Sequence, residues 1–300
     1  MERTIPKQPP AQTSISSQRR ALSNEIIPLA KATIGIVGVG MVGGAVQRYF
    51  DQQGRKLFLF DTYKKIGSRE EVNQADIIFI SVPTPYFKSK EYDLSMLEQA
   101  IQTLTPGKII ILKSTMLPGT TEWLQRKYPE HRFCYNPEFL TEATADQDMA
   151  YPDRQILGYT SQTFTIAKDL LSILPLAPFE RLMPATEAEM VKMFGNTWFA
   201  TKVAFANQMY DVCQNISIDY ERVMEAAAAD KRIGRTHLEI FHKDYRGYGG
   251  KCLPKDIKAF IEFAERNQID LKIHKAAEAV NENLMKKQHI PNPEQFSKRE

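Results

Sequence analysis

A glycine loop between a short apolar segment and a helical pattern is the feature that most constrains this fold. The loop is Gly38-Val39-Gly40-Met41-Val42-Gly43, and the β-rich residues 33–37 precede it. Glycines permit a tight turn, the approach of a pyrophosphate to the backbone, and close packing of the following helix. The pattern predicts the start of a Rossmann-type, doubly wound parallel sheet. A glycine turn without a ligand is the alternative interpretation.

An acidic residue follows the second predicted strand, residues 57–60. This residue, Asp61, lies eighteen positions after Gly43. A carboxylate there can bind the ribose diol and repel a 2′-phosphate, so the sequence predicts NAD rather than NADP as the cofactor. Lys64 and Lys65 follow closely and would weaken that repulsion.

Apolar segments of strand length recur between helical patterns up to about Pro184, and only helical spacing continues beyond it. Strands are predicted near residues 33–38, 57–60, 76–81, 108–113, 131–135 and 155–160. The α/β pattern indicates a Rossmann domain over residues 32–183, followed by an all-helical central and dimerisation domain over 184–288. Residues 1–31 are predicted to be a disordered extension, and 289–300 a polar tail.

Composition excludes several classes of protein. The formal net charge is +3, from 39 basic and 36 acidic residues without a basic block, so nothing favours nucleic-acid binding. No apolar segment reaches the length of a membrane span. Three cysteines without a C-x-x-C pair give no disulfide framework, and Cys134 and Cys213 are predicted to be buried. We therefore expect a cytoplasmic protein without a metal, membrane or nucleic-acid partner.

The third cysteine, Cys252, has a different setting. Pro254 suits the first turn of a helix through Phe260, which would place Cys252 at its N-terminal end. The helix dipole, Lys251 and Lys255 would favour a thiolate there. A thiolate can add to an aldehyde to form a hemithioacetal, whose oxidation gives a thioester that water cleaves. Together with a dinucleotide loop, Cys252 predicts aldehyde oxidation.

Two pairs of polar residues are ambiguous from spacing alone. Lys192 and Asn196 are four positions apart on a helix whose other face carries Met190, Phe194 and Trp198. They could hold an oxyanion, but a solvated face is the interpretation that spacing favours, because exposed charge on a helix is the rule.

Glu138 and Glu142 are also four positions apart. By themselves they indicate little more than a helix that begins after Pro137.

The chain resembles the UDP-glucose and GDP-mannose 6-dehydrogenase family from about residue 33 to residue 288. The similarity lies in an ordered series of segments: the glycine loop and residues 81–85, 113–115, 136–142, 152–154, 192–196, 232–234 and 247–256. The resemblance implies that Cys252 is the nucleophile, that Asp256 helps to activate the hydrolytic water, and that Lys192 and Asn196 stabilise oxyanions.

The resemblance also implies roles for the remaining segments. Glu138, Glu142 and Thr115 would organise water and protons beside the nicotinamide. The residues implied in cofactor binding are Gly38, Gly40, Met41, Val42, Gly43, Asp61, Val82, Pro83, Thr84, Ser114, Thr115 and Glu142. Those implied in binding the sugar nucleotide are Glu138, Phe139, Leu140, Lys192, Asn196, Tyr248, Gly249, Gly250 and, from a neighbouring subunit, Arg232.

The activity implied by the resemblance is NAD-dependent oxidation of a UDP-glucose-like primary alcohol to the carboxylic acid, by a homodimer. The C-terminal UDP-binding domain of the family is expected to be missing from this sequence. Two alternatives therefore stay open. One is a non-catalytic NAD-binding or assembly subunit, and the other is a two-electron hydroxyacid-type dehydrogenase, which has no need of Cys252.

Overall fold

The structure is a computed structural model that describes residues 31–89, 91–242 and 244–290. Residues 1–30 of the predicted N-terminal extension and residues 291–300 of the predicted polar tail lie outside the described residues. The chain forms two compact units. Among the described residues, the first comprises those up to Pro83 together with Ser95–Glu189, and the second comprises Thr84–Leu94 together with those from Met190 onward. Each unit is described by itself below.

The helices and strands have the following bounds in chain order: β1 (Ile34–Val37), α1 (Met41–Gln52), β2 (Leu57–Phe60), α2 (Arg69–Val72), β3 (Ile77–Ile80), β4 (Tyr86–Phe87), β5 (Glu91–Tyr92), α3 (Ser95–Gln102), β6 (Ile109–Leu112), α4 (Thr120–Lys127), β7 (Arg132–Tyr135), α5 (Ala145–Ala150), β8 (Arg154–Tyr159), α6 (Ala167–Ser172), β9 (Phe179–Pro184), α7 (Ala185–Asn215), α8 (Tyr220–Ala228), β10 (Phe241–His242), β11 (Tyr245–Arg246), α9 (Leu253–Arg266) and α10 (Lys272–Lys287).

The first unit is built on a seven-stranded sheet of order β2-β1-β3-β6-β7-β8-β9. Neighbouring strands are parallel except β7 and β8, so β8 and β9 run opposite to the other five. Strands β1, β3 and β6 are buried along their whole length, as expected for central strands covered on both faces. The predicted Rossmann-type sheet is confirmed, and all six predicted strands are present.

Strand β9 was not predicted. It lies at the edge of the sheet, and most of its residues are exposed or half-buried. An edge strand with that exposure needs no apolar run, so the sequence pattern that identifies a buried strand is missing from it.

The second unit is mainly helical but contains two short hairpins. Helices α8, α9 and α10 and most of α7 belong to it, together with the β4–β5 and β10–β11 hairpins. Each of these strands has two residues, too few for an alternating pattern, so the sequence predicted neither hairpin. Across the described ranges, no helix combines the length and the apolar character needed to cross a membrane.

A buried carboxylate joins the start of α7 to the start of α4 inside the first unit. The Glu189 side chain is fully buried. It accepts hydrogen bonds from the backbone N–H of Gly119 at 2.6 Å, and from the backbone N–H and hydroxyl of Thr121 at 2.7 and 2.6 Å. These donors lie at the N-terminal end of α4, where a carboxylate satisfies otherwise unpaired N–H groups. Burial nevertheless raises the pKa of Glu189 to about 7.

Glu189 should make stability depend on pH in a defined direction. Because its pKa is higher in the folded than in the unfolded chain, its contribution to the free energy of unfolding is fully present below its usual pKa of 4.5 and lost as pH rises through about 7. Glu189→Gln abolishes this titration. Relative to wild type, the variant should gain stability from pH 5 to pH 8, by no more than about 3 kcal/mol. Urea unfolding across this range measures the difference.

The control is Glu187→Gln, an exposed position in the same first turn of α7. Its stability difference from wild type should stay flat with pH. A flat difference for Glu189→Gln as well would show that the buried carboxyl has an ordinary pKa.

Candidate functional site

The glycine loop leaves room for a ligand at the start of α1. Gly38 has a φ of +85°, a conformation that favours glycine. A Cβ at Gly43 would lie 1.9 Å from the Gly38 carbonyl oxygen, so only glycine lets α1 approach the loop so closely. By contrast, a Cβ at Gly40 would meet no described atom within 4 Å. Gly40 is the N-cap of α1 and no side chain caps it, an arrangement that fits a pyrophosphate.

The Asp61 carboxylate connects the end of β2 to the glycine loop. It accepts from the backbone N–H of Val39 at 2.7 Å and from the backbone N–H groups of Tyr63 and Lys64 at 3.0 and 2.9 Å. The Lys64 ammonium donates to the Val39 carbonyl at 2.7 Å. A carboxylate has about four acceptor positions, so one position is left for a ribose hydroxyl once these three are counted. Asp61 therefore shapes the loop in addition to the predicted ribose contact.

The loops after β3 and β6 meet at the same end of the sheet. The Ser114 hydroxyl donates to the Val82 carbonyl at 2.6 Å, which holds the two loops together. The buried Ser81 hydroxyl has no hydrogen-bond partner among the described residues, and the Ser81 backbone lies 3.0 Å from where a Gly38 Cβ would be. A buried hydroxyl beside the glycine loop would suit a polar group of a bound dinucleotide.

Side chains from neighbouring strands hold the segment after β7. The Lys113 ammonium donates to the Asn136 side-chain oxygen at 2.6 Å, and the Asn136 amide donates to Gln155 at 2.7 Å. Further along the segment, the Arg154 guanidinium lies 3.9 Å from the centre of the Phe139 ring. The segment carrying the predicted glutamates is therefore anchored by β6 and β8.

The helix predicted after Pro137 does not form. Residues 136–141 have no regular secondary structure, and α5 begins only at Ala145. The buried Glu138 carboxylate accepts from the Leu140 backbone N–H at 2.9 Å, a local bond that replaces a helical one. Glu142 is exposed. The spacing of the two glutamates thus does not place them on one helix face, and the prediction of a helix here was wrong.

In the second unit, Cys252 is the N-cap of α9 and its side chain is exposed. Pro254 lies in the first turn, and the Asp256 backbone N–H donates to the Cys252 carbonyl at 3.0 Å. The sequence predicted this placement at the helix start. Cys134 and Cys213 are buried, and burial raises the pKa of the Cys134 thiol to about 12. Among the three thiols, the one at the helix start is the accessible one.

A fully buried carboxylate lies one turn into the same helix. Asp256 has no exposed surface, and three side chains donate to it. The Lys255 ammonium donates at 2.5 Å, and the Tyr92 hydroxyl and the Asn196 amide each form a hydrogen bond with one carboxylate oxygen. Buried charges are tolerated when they are paired and hydrogen-bonded in this way. The structure therefore brings Asn196, Asp256 and Cys252 together around the start of α9.

On α7, the polar pair is buried and the apolar residues of the other face are exposed, which is the reverse of the arrangement that spacing favoured. Lys192 and Asn196 are buried, whereas Met190, Phe194 and Trp198 are exposed, Phe194 at 67% and Trp198 at 53%. The prediction of a solvated polar face was wrong. Asn196 is drawn inward by Asp256, a partner that lies 60 residues away in the chain and that helical spacing cannot reveal.

The loop before Cys252 is fastened to α10. The Tyr248 backbone N–H and carbonyl both bond to the Asn281 side chain, at 2.8 and 2.9 Å. The buried Tyr248 hydroxyl donates to Glu278 at 2.6 Å, and desolvation raises its pKa. Tyr248 therefore anchors the loop through its side chain, and Gly249 and Gly250 present half-buried backbone next to Cys252.

Three further residues that were predicted to bind the substrate or the cofactor lie outside the segments described above. The Arg232 side chain is exposed and forms hydrogen bonds with the Asp230 carboxylate, which raise the arginine pKa. Pro83 is exposed at the end of the first unit's loop after β3, and Thr84 is buried in the second unit.

Sequence reasoning missed several residues that support the site. Tyr92 donates to Asp256, while Glu278 and Asn281 hold the cysteine loop and Glu189 holds the start of α4. None of them belongs to a motif that the sequence pattern singled out. Within the described ranges, no group of three His, Cys, Asp or Glu side chains could hold a metal ion.

Comparison with known proteins identifies the family. Residues 65–173 match the NAD binding domain of the UDP-glucose/GDP-mannose dehydrogenase family, and residues 186–283 match its central domain. The chain belongs to this family. The match to the NAD binding domain indicates NAD as the cofactor, which confirms that prediction.

Individual relatives agree with the family assignment. The chain is 37% identical to the UDP-glucose 6-dehydrogenase of Pseudomonas aeruginosa over 232 residues, which cover 71% of this chain and 49% of that protein. It is 34% identical to the UDP-glucose 6-dehydrogenase of Rickettsia bellii over 220 residues, 69% of this chain and 49% of that protein. The chain thus spans about half the length of these curated relatives.

A solved structure is similar to this chain over a larger share of its length than these relatives are. The UDP-glucose dehydrogenase of Pyrobaculum islandicum superposes with a TM-score of 0.74 at 29% identity, covering 84% of this chain and 68% of that chain. Together with the strand order, this similarity confirms the Rossmann-type fold class with a helical central domain.

The Asp61 charge should set the preference for NAD over NADP. Asp61→Asn keeps an acceptor oxygen and removes the charge that would repel a 2′-phosphate. The dissociation constant for NADP divided by that for NAD should therefore fall by about tenfold. Affinity for NAD should also fall, because Asn offers one acceptor oxygen in place of two and at least one bond to the backbone N–H groups of Val39, Tyr63 or Lys64 is lost. Calorimetric titration with each cofactor measures the ratio.

Asp51→Asn is the matched control, since it removes an exposed negative charge at the other end of α1. The ratio should not change in the control. An unchanged ratio in Asp61→Asn would show that this carboxylate does not discriminate between the cofactors.

Proposed function

We propose that this chain oxidises the primary alcohol of a UDP-glucose-like nucleotide sugar to the carboxylic acid, with NAD as the oxidant and Cys252 as the nucleophile. The observation that carries the proposal is an exposed cysteine at the start of α9, one turn from the buried Asp256–Asn196 pair. The substrate class is supported by the similar proteins, which are UDP-glucose dehydrogenases.

The residues of the second unit suit the chemistry of the carbonyl group. NAD, when bound, accepts one hydride from the alcohol and a second from the thiol adduct. The buried Lys192 ammonium would stabilise the negative charge that develops on the alcohol oxygen, where a cation acts strongly because water is excluded. The Asn196 amide would add a donor, and its bond to Asp256 limits its orientation.

Cys252 divides the second oxidation into two easier steps. Its thiolate adds to the aldehyde carbon, a C–S bond forms, and the carbonyl oxygen takes a proton to give a hemithioacetal. Loss of a hydride and a proton leaves the thioester. Water then attacks the thioester, the C–S bond breaks, and the acid leaves with the thiol restored. The position of Cys252 at the N-terminal end of α9 would let the helix dipole favour the thiolate that begins this sequence.

Replacement of the thiol should separate the two oxidations. Hydride transfer from the alcohol needs no thiol, whereas oxidation of the aldehyde needs a tetrahedral adduct. Wild type should form two NADH per nucleotide sugar consumed. Cys252→Ser should lose acid formation and stall at the aldehyde or at a slowly hydrolysed ester. NADH absorbance and product analysis by mass spectrometry, over a panel of nucleotide sugars, give both quantities.

Cys213→Ser, which changes a buried cysteine of the same unit, is the control and should still form two NADH per nucleotide sugar consumed. A wild-type ratio of one would favour a two-electron dehydrogenase. Binding of NAD without turnover of any sugar in the panel would favour a non-catalytic subunit.

An exposed apolar stripe on α7 supports the predicted homodimer. The stripe comprises Phe194, Trp198, Phe205, Met209 and Val212, which recur at intervals of three, four or seven residues on a 31-residue helix. A contiguous apolar stripe of this kind on a helix marks an interaction surface. We propose that a second copy of the chain covers it through a two-fold interface.

A charge within the stripe should weaken the dimer. Trp198→Glu buries a carboxylate in the proposed interface, so the dissociation constant should rise at least about a hundredfold. Sedimentation velocity across a range of concentrations measures it. Phe164→Glu, at an exposed aromatic of the first unit, is the control and should leave association unchanged. A wild-type monomer at all concentrations would contradict the proposal.

Other parts of the prediction stay untested. The cytoplasmic location, the lack of nucleic-acid binding and the contribution of Arg232 from a neighbouring subunit remain predictions, as do the individual roles of Glu138, Glu142 and Thr115.

A further inference from the structure

The β4–β5 hairpin supplies one of the three donors to Asp256. Tyr92, the last residue of β5, is 1% exposed, and its hydroxyl bonds to an Asp256 carboxylate oxygen. The Lys255 ammonium donates to the same oxygen and lies 4.5 Å from the centre of the Tyr92 ring. Tyr92 therefore contacts both charged groups of the Lys255–Asp256 pair.

The hairpin is fastened along α9 by further polar contacts. The Tyr86 hydroxyl and the Ser89 backbone N–H donate to one Glu262 oxygen, at 2.6 and 3.0 Å. On the other strand, Arg266 donates to Glu91 at 2.8 Å. These contacts locate the hairpin against α9, so the Tyr92 hydroxyl is presented to Asp256 from a held strand and not from a loose loop.

The burial of Asp256 makes each of its donors important. A carboxylate without solvent contact is held in position by its hydrogen bonds and its ion pair, and a hydrogen bond to a charged group is stronger than one between neutral groups. Asn196 donates to the other oxygen. Removing the Tyr92 hydroxyl would leave Lys255 alone on its oxygen and would let the carboxylate turn.

We propose that Tyr92 is a positioning residue for the reaction of this site. Its hydroxyl holds the Asp256 carboxylate and, through that carboxylate, Asn196 and the first turn of α9 that follows Cys252. The inference rests on the proposed function for its catalytic consequence. The step most sensitive to it is hydrolysis of the Cys252 thioester, for which Asp256 is the predicted water-activating group.

The test is Tyr92→Phe, which removes one hydroxyl and keeps the ring. The matched control is Tyr86→Phe, which removes the other phenol of the same hairpin, the one bonded to Glu262. In this variant the Ser89–Glu262 and Arg266–Glu91 bonds still hold the hairpin against α9. In Tyr92→Phe, kcat should fall about tenfold or more while KM for the nucleotide sugar and for NAD stays within about twofold. Tyr86→Phe should resemble wild type in kcat and KM.

Single-turnover experiments locate the affected step. The first NADH should form at the wild-type rate in Tyr92→Phe, whereas the thioester on Cys252 should accumulate and be visible by intact mass. Loss of general stability would slow both steps and would not produce a covalent adduct. Equal slowing of both steps, or a wild-type kcat, would overturn the positioning role.

Hydrogen–deuterium exchange tests the same contact without turnover. Amides in the first turns of α9 should exchange several-fold faster in Tyr92→Phe than in wild type, and Tyr86→Phe should not show this change at residues 255–257. If wild type oxidises no nucleotide sugar, the proposed function fails on its own. The positioning proposal then depends on exchange alone, and unchanged exchange in Tyr92→Phe would overturn it.

Discussion

The burial of the Asp256 carboxylate is the constraint on which the second unit depends. A charge without solvent contact is strongly destabilising unless donors surround it, and here the donors come from three separate elements. Lys255 is its neighbour on α9, Asn196 lies on α7, and Tyr92 lies on β5. The two helices and the hairpin must therefore meet at this point, and their meeting also sets the start of α9 where Cys252 lies.

The same carboxylate accounts for the buried position of Asn196 on α7. Lys192 and Asn196 are buried along with apolar residues such as Met193 and Ala200, whereas Phe194 and Trp198 are more than half exposed. The exposed apolar side chains form a separate stripe on the same helix, which we propose is covered by a second copy of the chain. The interior of the site and the proposed dimer interface are thus two sides of one helix.

The glycine loop of the first unit is organised by backbone geometry. Gly43 lets α1 approach within van der Waals distance of the loop, and Gly40 leaves open space where a pyrophosphate would lie. Asp61 bonds to the loop backbone, so the residue that the sequence assigned to the ribose also supports the turn. Cofactor recognition and loop stability are therefore coupled in one side chain.

The sequence by itself determined the nucleotide-binding sheet, because buried parallel strands need continuous apolar residues and the loop needs glycines at fixed positions. It also determined the helix start at Cys252, since Pro254 and the preceding glycines act locally. Only the tertiary structure decided what depends on distant residues: the inward face of α7, the β4–β5 hairpin that brings Tyr92 to Asp256, and the irregular segment around Glu138. In each case the local pattern is outweighed by a hydrogen-bond partner or packing neighbour that is remote in the chain, or by a bond that competes with the helix. Spacing along the sequence carries no information about such contacts.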